Sequence, residues 1–180
     1  MGEKGTLYFF TGLAGAGKTT IGGLFYERLK ERKPRAVLLD GDRQRSAAGH
    51  NTGDAATVDS RYTTQARKAG ARALFQRCRD LTERGLDVVC CSISMYNEIR
   101  AWNRANIENY REIYVKVTQE TLYKRDQKGL YSSGAKNVVG VDLPYDEPER
   151  PDVVIQNDGG ETPEAIVERL EKRFLNDKGE

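Results

Sequence analysis

The 180-residue sequence has few of the residues that mark extracellular, metal-binding or membrane proteins. Its three cysteines, Cys78, Cys90 and Cys91, lack the spacing of a metal site, and the adjacent pair cannot easily form a disulfide. We therefore expect buried, reduced thiols and a cytoplasmic protein. No apolar run approaches the roughly 18 residues of a membrane span, and Leu7–Phe10 is too short for a signal peptide, so we expect no membrane partner.

Charge of one sign is also not in excess. The chain has 29 basic and 27 acidic residues, a net charge of +2, which gives no electrostatic reason to expect a nucleic-acid partner. The single histidine, His50, is more typical of a loop residue than of a catalyst. No Asn/Thr-Lys-x-Asp run of the kind that reads guanine follows later in the chain, which argues against a GTPase.

The sequence does contain a complete phosphate-loop pattern, G-x-x-x-x-G-K-[ST], at residues 12–19. It follows an apolar, strand-like run and opens a helical segment, so that backbone N–H groups and the helix dipole converge on an anion. Lys18 would reach the β- and γ-phosphates of ATP, and the Thr19 hydroxyl would bind Mg²⁺. The predicted ATP-binding residues here are Gly12, Ala14, Gly15, Ala16, Gly17, Lys18, Thr19 and Thr20.

Short apolar runs alternate with helical stretches along the rest of the chain. The predicted strands are Leu7–Phe10, Ala36–Leu39, Val88–Ser92, Ile113–Val117 and Val153–Ile155. The predicted helices are Thr19–Arg32, Thr64–Arg84, Asn97–Asn106, Gln119–Arg125 and Pro163–Leu175. This alternation predicts a single α/β domain over residues 1–180, with a mostly parallel sheet of about five strands flanked by helices. The long segments 43–61 and 128–150 are candidates for acceptor recognition and for a lid.

Acidic residues at the end of the second predicted strand give a second chemical signal. Asp40 would point into the crevice beside the phosphate loop, where it could hold Mg²⁺ or accept the proton of an acceptor hydroxyl. Arg45 is near enough in sequence to pair with an anionic acceptor. The small size of the chain and its lid-like segment favour a kinase of a small metabolite.

Several motifs together resemble the adenylylsulfate (APS) kinase family. They are Gly12–Thr20, Leu39–Asp42 with Arg45, Ile93–Ser94 with Tyr96, Arg125–Asp126, Lys128–Tyr131 and Pro151–Asp152. The resemblance covers about residues 6–172 and implies a phosphate-loop kinase that uses MgATP to phosphorylate the 3′-hydroxyl of adenosine 5′-phosphosulfate. It also implies a homodimer.

The resemblance assigns further roles by position. Lys18, Asp40 and Ser94 form the implied catalytic set, and Thr19 and Asp40 the implied metal site. Arg125 belongs with the ATP-binding residues. The implied acceptor-binding residues are Asp42, Arg45, Tyr62, Arg67, Ile93, Ser94, Lys128 and Lys136.

The departures from the family pattern lie on the acceptor side. Gly70 stands where the family has an acceptor-binding asparagine, and Ala66 where it has an aspartate. Residues 102–107 resemble a subgroup encoded in surface-polysaccharide gene clusters. An alternative acceptor is therefore another activated nucleotide, such as a cytidine diphosphate conjugate. A kinase of a small alcohol or sugar acid, and a regulatory nucleotide-binding protein without turnover, are the remaining alternatives.

Overall fold

The computed structural model describes residues 2–41, 64–126, 129, 131–132, 138–141 and 143–176. The strands are β1 (Thr6–Thr11), β2 (Val37–Asp40), β3 (Val88–Cys91), β4 (Asn109–Lys116) and β5 (Val153–Gln156). The helices are α1 (Lys18–Arg32), α2 (Thr64–Glu83), α3 (Asn97–Asn106), α4 (Gln119–Arg125) and α5 (Pro163–Phe174). Each of the ten overlaps a predicted element of the same type.

The strands form one sheet in the order β2-β3-β1-β4-β5, and every pair in it is parallel. The register aligns the carboxyl ends of the strands: Asp40 is opposite Cys91, Cys91 is opposite Phe10, and Thr11 is opposite Tyr114. The residues that follow these strands therefore meet at one edge of the sheet, where open α/β sheets bind their ligands. This arrangement confirms the predicted fold class.

Helices cover both faces of the sheet, and alternate residues of β1 serve the two faces. Phe10 packs with Phe25 of α1 in a cluster that also takes in α5. Phe9 packs on the opposite face against Phe75 of α2, with ring centroids 4.7 Å apart. Burial of strands on both sides explains why they are short continuous apolar runs rather than alternating ones.

Strand β4 begins at Asn109, so the predicted start at Ile113 was wrong. Residues 109–112 are polar, but they pair with Thr6–Phe9 of β1, and Glu112 is buried with its charge compensated. Its carboxylate lies 3.1 Å from the guanidinium of Arg104 and 3.7 Å from that of Arg100, and it accepts a hydrogen bond from the Tyr110 hydroxyl. A search for apolar runs does not detect the part of a strand that is buried as an ion pair.

The predicted helix near the end of the chain and the predicted burial of the thiols are both seen in the fold. The hydroxyl of Thr162 accepts a hydrogen bond from the Ala165 N–H and caps α5, with Pro163 in the first turn. The three cysteines are buried and unpaired. Within the described residues, no helix has the length and apolarity needed to span a membrane.

Candidate active site

The phosphate-loop pattern forms a tight turn between β1, which ends at Thr11, and α1, which begins at Lys18. Gly12 has a φ of 149°, and a Cβ there would lie 2.3 Å from the carbonyl oxygen of Val115, so only glycine fits. Gly17 precedes the helix with a φ of 103°, and no side chain among the described residues caps the helix start. The first N–H groups of α1 are therefore available to an anion at this turn.

Three of the predicted site residues converge at this helix start. The ammonium group of Lys18 is buried and donates a hydrogen bond to the Leu13 carbonyl at 2.8 Å. The hydroxyl of Thr19 lies 3.1 Å from Oδ2 of Asp40, the last residue of β2. An ammonium group, a hydroxyl and a carboxylate thus lie together, and these are the groups that bind a polyphosphate with its metal.

The thiol of Cys91 lies behind this cluster. Burial raises the pKa of Cys91 to about 12, the Asp40 charge acts in the same direction, and Lys18 opposes it. The neutral sulfur lies 3.5 Å from the Lys18 carbonyl oxygen, and a Cβ on Gly22 would be 2.4 Å from it. Cys91 therefore packs against α1, and Gly22 lets the helix approach β3 closely.

A strained turn follows β3 and carries Ser94, one of the implied catalytic residues. Ser94 has a φ of 33°, which a residue with a side chain rarely adopts. Its hydroxyl lies 2.8 Å from the hydroxyl of Ser92, and the Thr11 hydroxyl donates to the Ile93 carbonyl at 2.6 Å. A Cβ on Gly41 would lie 2.9 Å from Ser92 Oγ, so the turns after β2 and β3 are in contact. The structure thus places Ser94 and Ile93 beside the strand end that carries Asp40.

Positive charge from the first turns of α2 lies against the start of α3. Burial raises the pKa of Tyr96, and the charges of Arg67 and Lys68 oppose that rise. The Lys68 ammonium lies 5.3 Å from the centre of the Tyr96 ring and forms an ion pair with Glu98 at 3.1 Å. Arg67, an implied acceptor-binding residue, therefore lies near the turn that contains Ser94.

Arg125, predicted to bind ATP, lies at the end of α4 and contacts the backbone of the phosphate loop. Its guanidinium donates to the carbonyls of Gly15 at 3.4 Å and Asn157 at 2.7 Å. The Asn157 side-chain amide donates to the Ala16 carbonyl at 2.8 Å. Sequence reasoning missed Asn157, and the one signal available was its position directly after the carboxyl end of β5.

The described parts of the 128–150 segment also pack on the phosphate loop. Leu13 belongs to an apolar cluster with Val138 and Val139, and the Tyr131 hydroxyl donates to the Ala14 carbonyl at 2.7 Å. Tyr131 stood within a motif quoted above but had no assigned role. The far end of the segment is held by Arg100, which donates to the carbonyls of residues 146 and 147.

Several predicted residues cannot be placed in this site. Asp42, Arg45, Tyr62, Lys128 and Lys136 lie outside the described residues, as do His50 and all of segment 43–61. Their roles stay predictions. Thr20 is described and is exposed on the first turn of α1.

A family model described as adenylylsulphate kinase matches residues 4–156 of this chain. The chain belongs to the adenylylsulphate kinase family. Cytidine diphosphoramidate kinase of Campylobacter jejuni is 39% identical over 172 residues, which are 93% of this chain and 95% of that protein. The adenylyl-sulfate kinase of a Picosynechococcus species is 34% identical over 176 residues, covering 96% and 95% of the two chains. Membership makes the chain a kinase-family phosphotransferase, as its phosphate loop predicts.

A solved structure shares the fold of this chain. The Mycobacterium tuberculosis APS kinase CysC, in complex with AMPPNP and APS, has a TM-score of 0.81 to this chain. It is 23% identical, with 97% of this chain and 99% of that one covered, so the likeness concerns the fold.

Gly70, one of the departures from the implied family pattern, lies among the described residues of α2. Gly70 is exposed, and a Cβ there would meet no heavy atom of the described residues within 4 Å. The contacts seen in the described part of the chain therefore do not require glycine at this position. Glycine also makes a helix less stable than most other residues do, so neither packing nor helix stability explains why residue 70 is glycine.

Proposed function

We propose that the chain transfers the γ-phosphoryl group of ATP to a ribose hydroxyl of an activated nucleotide. The observation that carries the proposal is the contact of Thr19 with Asp40 at 3.1 Å beside the buried ammonium of Lys18. Lys18 and Thr19 are adjacent at the start of α1 and Asp40 ends β2, and the three residues lie at the carboxyl edge of the sheet in a member of a kinase family. The chain therefore has each of the three groups that we assign to ATP and its metal ion.

Mg²⁺ fits the oxygen ligands of this site. The Thr19 hydroxyl and the Asp40 carboxylate are hard donors of the kind that Mg²⁺ prefers, and we propose that they hold it with the ATP phosphates. The bound ion would neutralise charge on the phosphates.

The remaining work falls to the side chains and backbone of this chain. The Lys18 ammonium would leave the Leu13 carbonyl for phosphate oxygens, a change of partner that needs little movement from a buried position. The N–H groups at the start of α1 would bind the same phosphates. Asp40 would also receive the proton of the attacking hydroxyl, if it lies in reach of that hydroxyl once the acceptor binds.

Two acceptors are supported by specific observations. Adenosine 5′-phosphosulfate is the acceptor that the family resemblance implies, with Asp42, Arg45, Tyr62, Arg67, Ile93, Ser94, Lys128 and Lys136 as its proposed binding residues. Cytidine diphosphoramidate is the second candidate, because the Campylobacter jejuni relative named for it is 39% identical over nearly the whole chain. Gly70 favours this second candidate. The family resemblance implies an asparagine at this position, with a polar contact to the acceptor that glycine cannot make.

A direct comparison of the two acceptors tests the choice. Both would be offered to the purified protein with ATP and Mg²⁺, and kcat/KM would be measured for each from ADP release. A ratio above about 100 in favour of one acceptor identifies it, because lost or gained polar contacts discriminate on that scale. Comparable low values for both would point to a different activated nucleotide, and the panel would then extend to uridine and guanosine diphosphate conjugates.

The organisation of the protein is also part of the proposal. We propose one kinase domain over residues 1–180, with the 128–150 segment as its lid, working in the cytoplasm as a homodimer. Light scattering on the protein as it leaves a size-exclusion column would give a mass of twice 20.2 kDa for the dimer. A mass of 20.2 kDa would contradict the dimer and leave the phosphoryl transfer untouched.

A further inference from the structure

Three side chains from outside the phosphate loop, together with its own Lys18, hold the loop backbone by hydrogen bonds. Four successive carbonyls, from Leu13 to Ala16, each accept a hydrogen bond from a side chain. The donors are Lys18 to Leu13 at 2.8 Å, Tyr131 to Ala14 at 2.7 Å, Arg125 to Gly15 at 3.4 Å and Asn157 to Ala16 at 2.8 Å. The loop therefore does not keep its shape through its own glycines alone.

The direction of a carbonyl fixes the direction of the next N–H group. The peptide unit is planar and trans, so the C=O of one residue and the N–H of the following residue point in opposite directions. The bond from Asn157 holds the Ala16 carbonyl on the outer side of the loop, and this orients the Gly17 N–H away from Asn157. Gly17 directly precedes α1, where an anion binds.

Asn157 is itself firmly placed, which a positioning residue requires. Its side chain is only 9% exposed. Its backbone N–H donates to the Lys116 carbonyl at 2.8 Å, and its carbonyl accepts from Arg125 at 2.7 Å. Gly17 leaves room for the amide, because a Cβ on that glycine would lie 2.5 Å from Nδ2 of Asn157.

We propose that Asn157 is a positioning residue for nucleotide binding: its carboxamide holds the Ala16 carbonyl outward, so that the Gly17 N–H is directed at the phosphates of the bound nucleotide. The residue touches the loop and not the nucleotide. The inference rests on the proposed function only in requiring that the loop bind a nucleoside di- or triphosphate.

Two substitutions and a matched control test this role. Asn157→Asp keeps the shape of the side chain but replaces the donor with a carboxylate that repels the Ala16 carbonyl, whereas Asn157→Ala removes the group. Asn106→Ala is the control, because the Asn106 amide donates to the Trp102 carbonyl at the same 2.8 Å, at the end of α3. Calorimetric Kd for ADP and the thermal midpoint Tm would be measured for all four proteins.

We expect ADP binding to weaken about tenfold or more in Asn157→Ala, and further in Asn157→Asp, because oriented N–H groups bind charged phosphate strongly. Asn106→Ala should lower Tm without changing the Kd for ADP. If the Asn157 variants lose Tm but keep the wild-type Kd, Asn157 only supports the fold, and the proposal is overturned. Asn157→Asp fills the same space but adds a charge that itself repels phosphate, so a wild-type Kd in this variant would also overturn the proposal, and a weaker Kd in a folded Asn157→Ala is the result that supports it.

Failure of the proposed function gives a different result. A wild-type protein that binds ADP but turns over none of the acceptors contradicts the phosphoryl transfer, and the ratio of Kd values still decides the role of Asn157. A wild-type protein that fails to bind ADP contradicts both.

Discussion

The hydroxyl of Thr19 lies 3.1 Å from a carboxylate oxygen of Asp40, although the two residues belong to different elements. Thr19 is in the first turn of α1, and Asp40 ends the edge strand β2. Strand β3 lies between β2 and β1, and its parallel register brings the ends of all three to one level. The sheet thus brings together the two proposed metal ligands, which are 21 positions apart in the chain.

The charge of Asp40 can be removed while its shape is kept. Asp40→Asn should lower kcat by about 100-fold or more, because it weakens the proposed metal ligand and removes the proposed proton acceptor at once. The variant should keep its fold, since the amide can still bond to Thr19. The measurement is ADP release as a function of Mg²⁺ concentration.

Asp87→Asn is the matched control for this substitution. Asp87 accepts a hydrogen bond from the Thr6 N–H at 2.7 Å, at the opposite edge of the sheet. The Asp87→Asn substitution should lower the stability of the protein somewhat and leave kcat unchanged. Equal losses of kcat in the two variants would show that the Asp40 effect comes from the fold and would contradict its role in the site.

Placing at residue 70 the asparagine that the family resemblance implies should shift acceptor preference. We expect Gly70→Asn to raise the ratio of kcat/KM for adenosine 5′-phosphosulfate over cytidine diphosphoramidate by about tenfold, because an added polar contact discriminates between acceptors. A Cβ at residue 70 would meet no described heavy atom within 4 Å, so the backbone has room for a side chain there. The measurement is the pair of kcat/KM values in each protein.

The helix effect of this substitution can be separated from its effect on acceptors. Asn forms helix better than Gly by about 0.3 kcal/mol, so a small rise in Tm is expected. Gly23→Asn is the control, since Gly23 lies within α1 and a Cβ there also meets nothing within 4 Å among the described residues. It should raise Tm equally and leave the ratio unchanged. An unchanged ratio in Gly70→Asn would contradict a role for this position in acceptor choice.

The three thiols should be unreactive in the folded protein. Cys78, Cys90 and Cys91 are buried, and burial raises the pKa of Cys91 to about 12. A raised pKa keeps a thiol protonated at pH 8, and the protonated form is not nucleophilic. Titration with an aromatic disulfide reagent at pH 8 should label none of the three quickly in the native protein and all three in guanidinium chloride. Fast labelling of one thiol before unfolding would contradict the burial.

The sequence predicted the elements well because local rules and the fold agree in most of them. Short apolar runs predicted every strand, and the helix predicted from Pro163 begins at that residue in α5. The phosphate loop is recognisable because its chemistry needs neighbours in sequence, namely Gly17, Lys18 and Thr19. Features that depend only on adjacent residues can be predicted directly from the sequence.

What the sequence could not give depends on contacts between distant segments. Asn157 bonds to Ala16 across 141 positions, and Tyr131 bonds to Ala14 across 117, so no spacing rule could pair them. The start of β4 was missed because Glu112 is buried by compensating charge rather than by apolarity. Arg125 was predicted to bind ATP, and that role stays a prediction; its observed bonds to the loop backbone could not have been inferred from its motif.

Release of ADP that depends on both an acceptor and Lys18 tests the central claim most directly. The wild-type protein, Lys18→Ala and Lys30→Ala would be given ATP, Mg²⁺ and either acceptor, with circular dichroism to show that each variant is folded. Lys30 is an exposed lysine of α1 that lies 5.6 Å from the Tyr26 ring, so its loss is a matched control. The account predicts acceptor-dependent ADP release by the wild type and by Lys30→Ala, and nearly complete loss in a folded Lys18→Ala. Wild-type activity in a folded Lys18→Ala protein would contradict it.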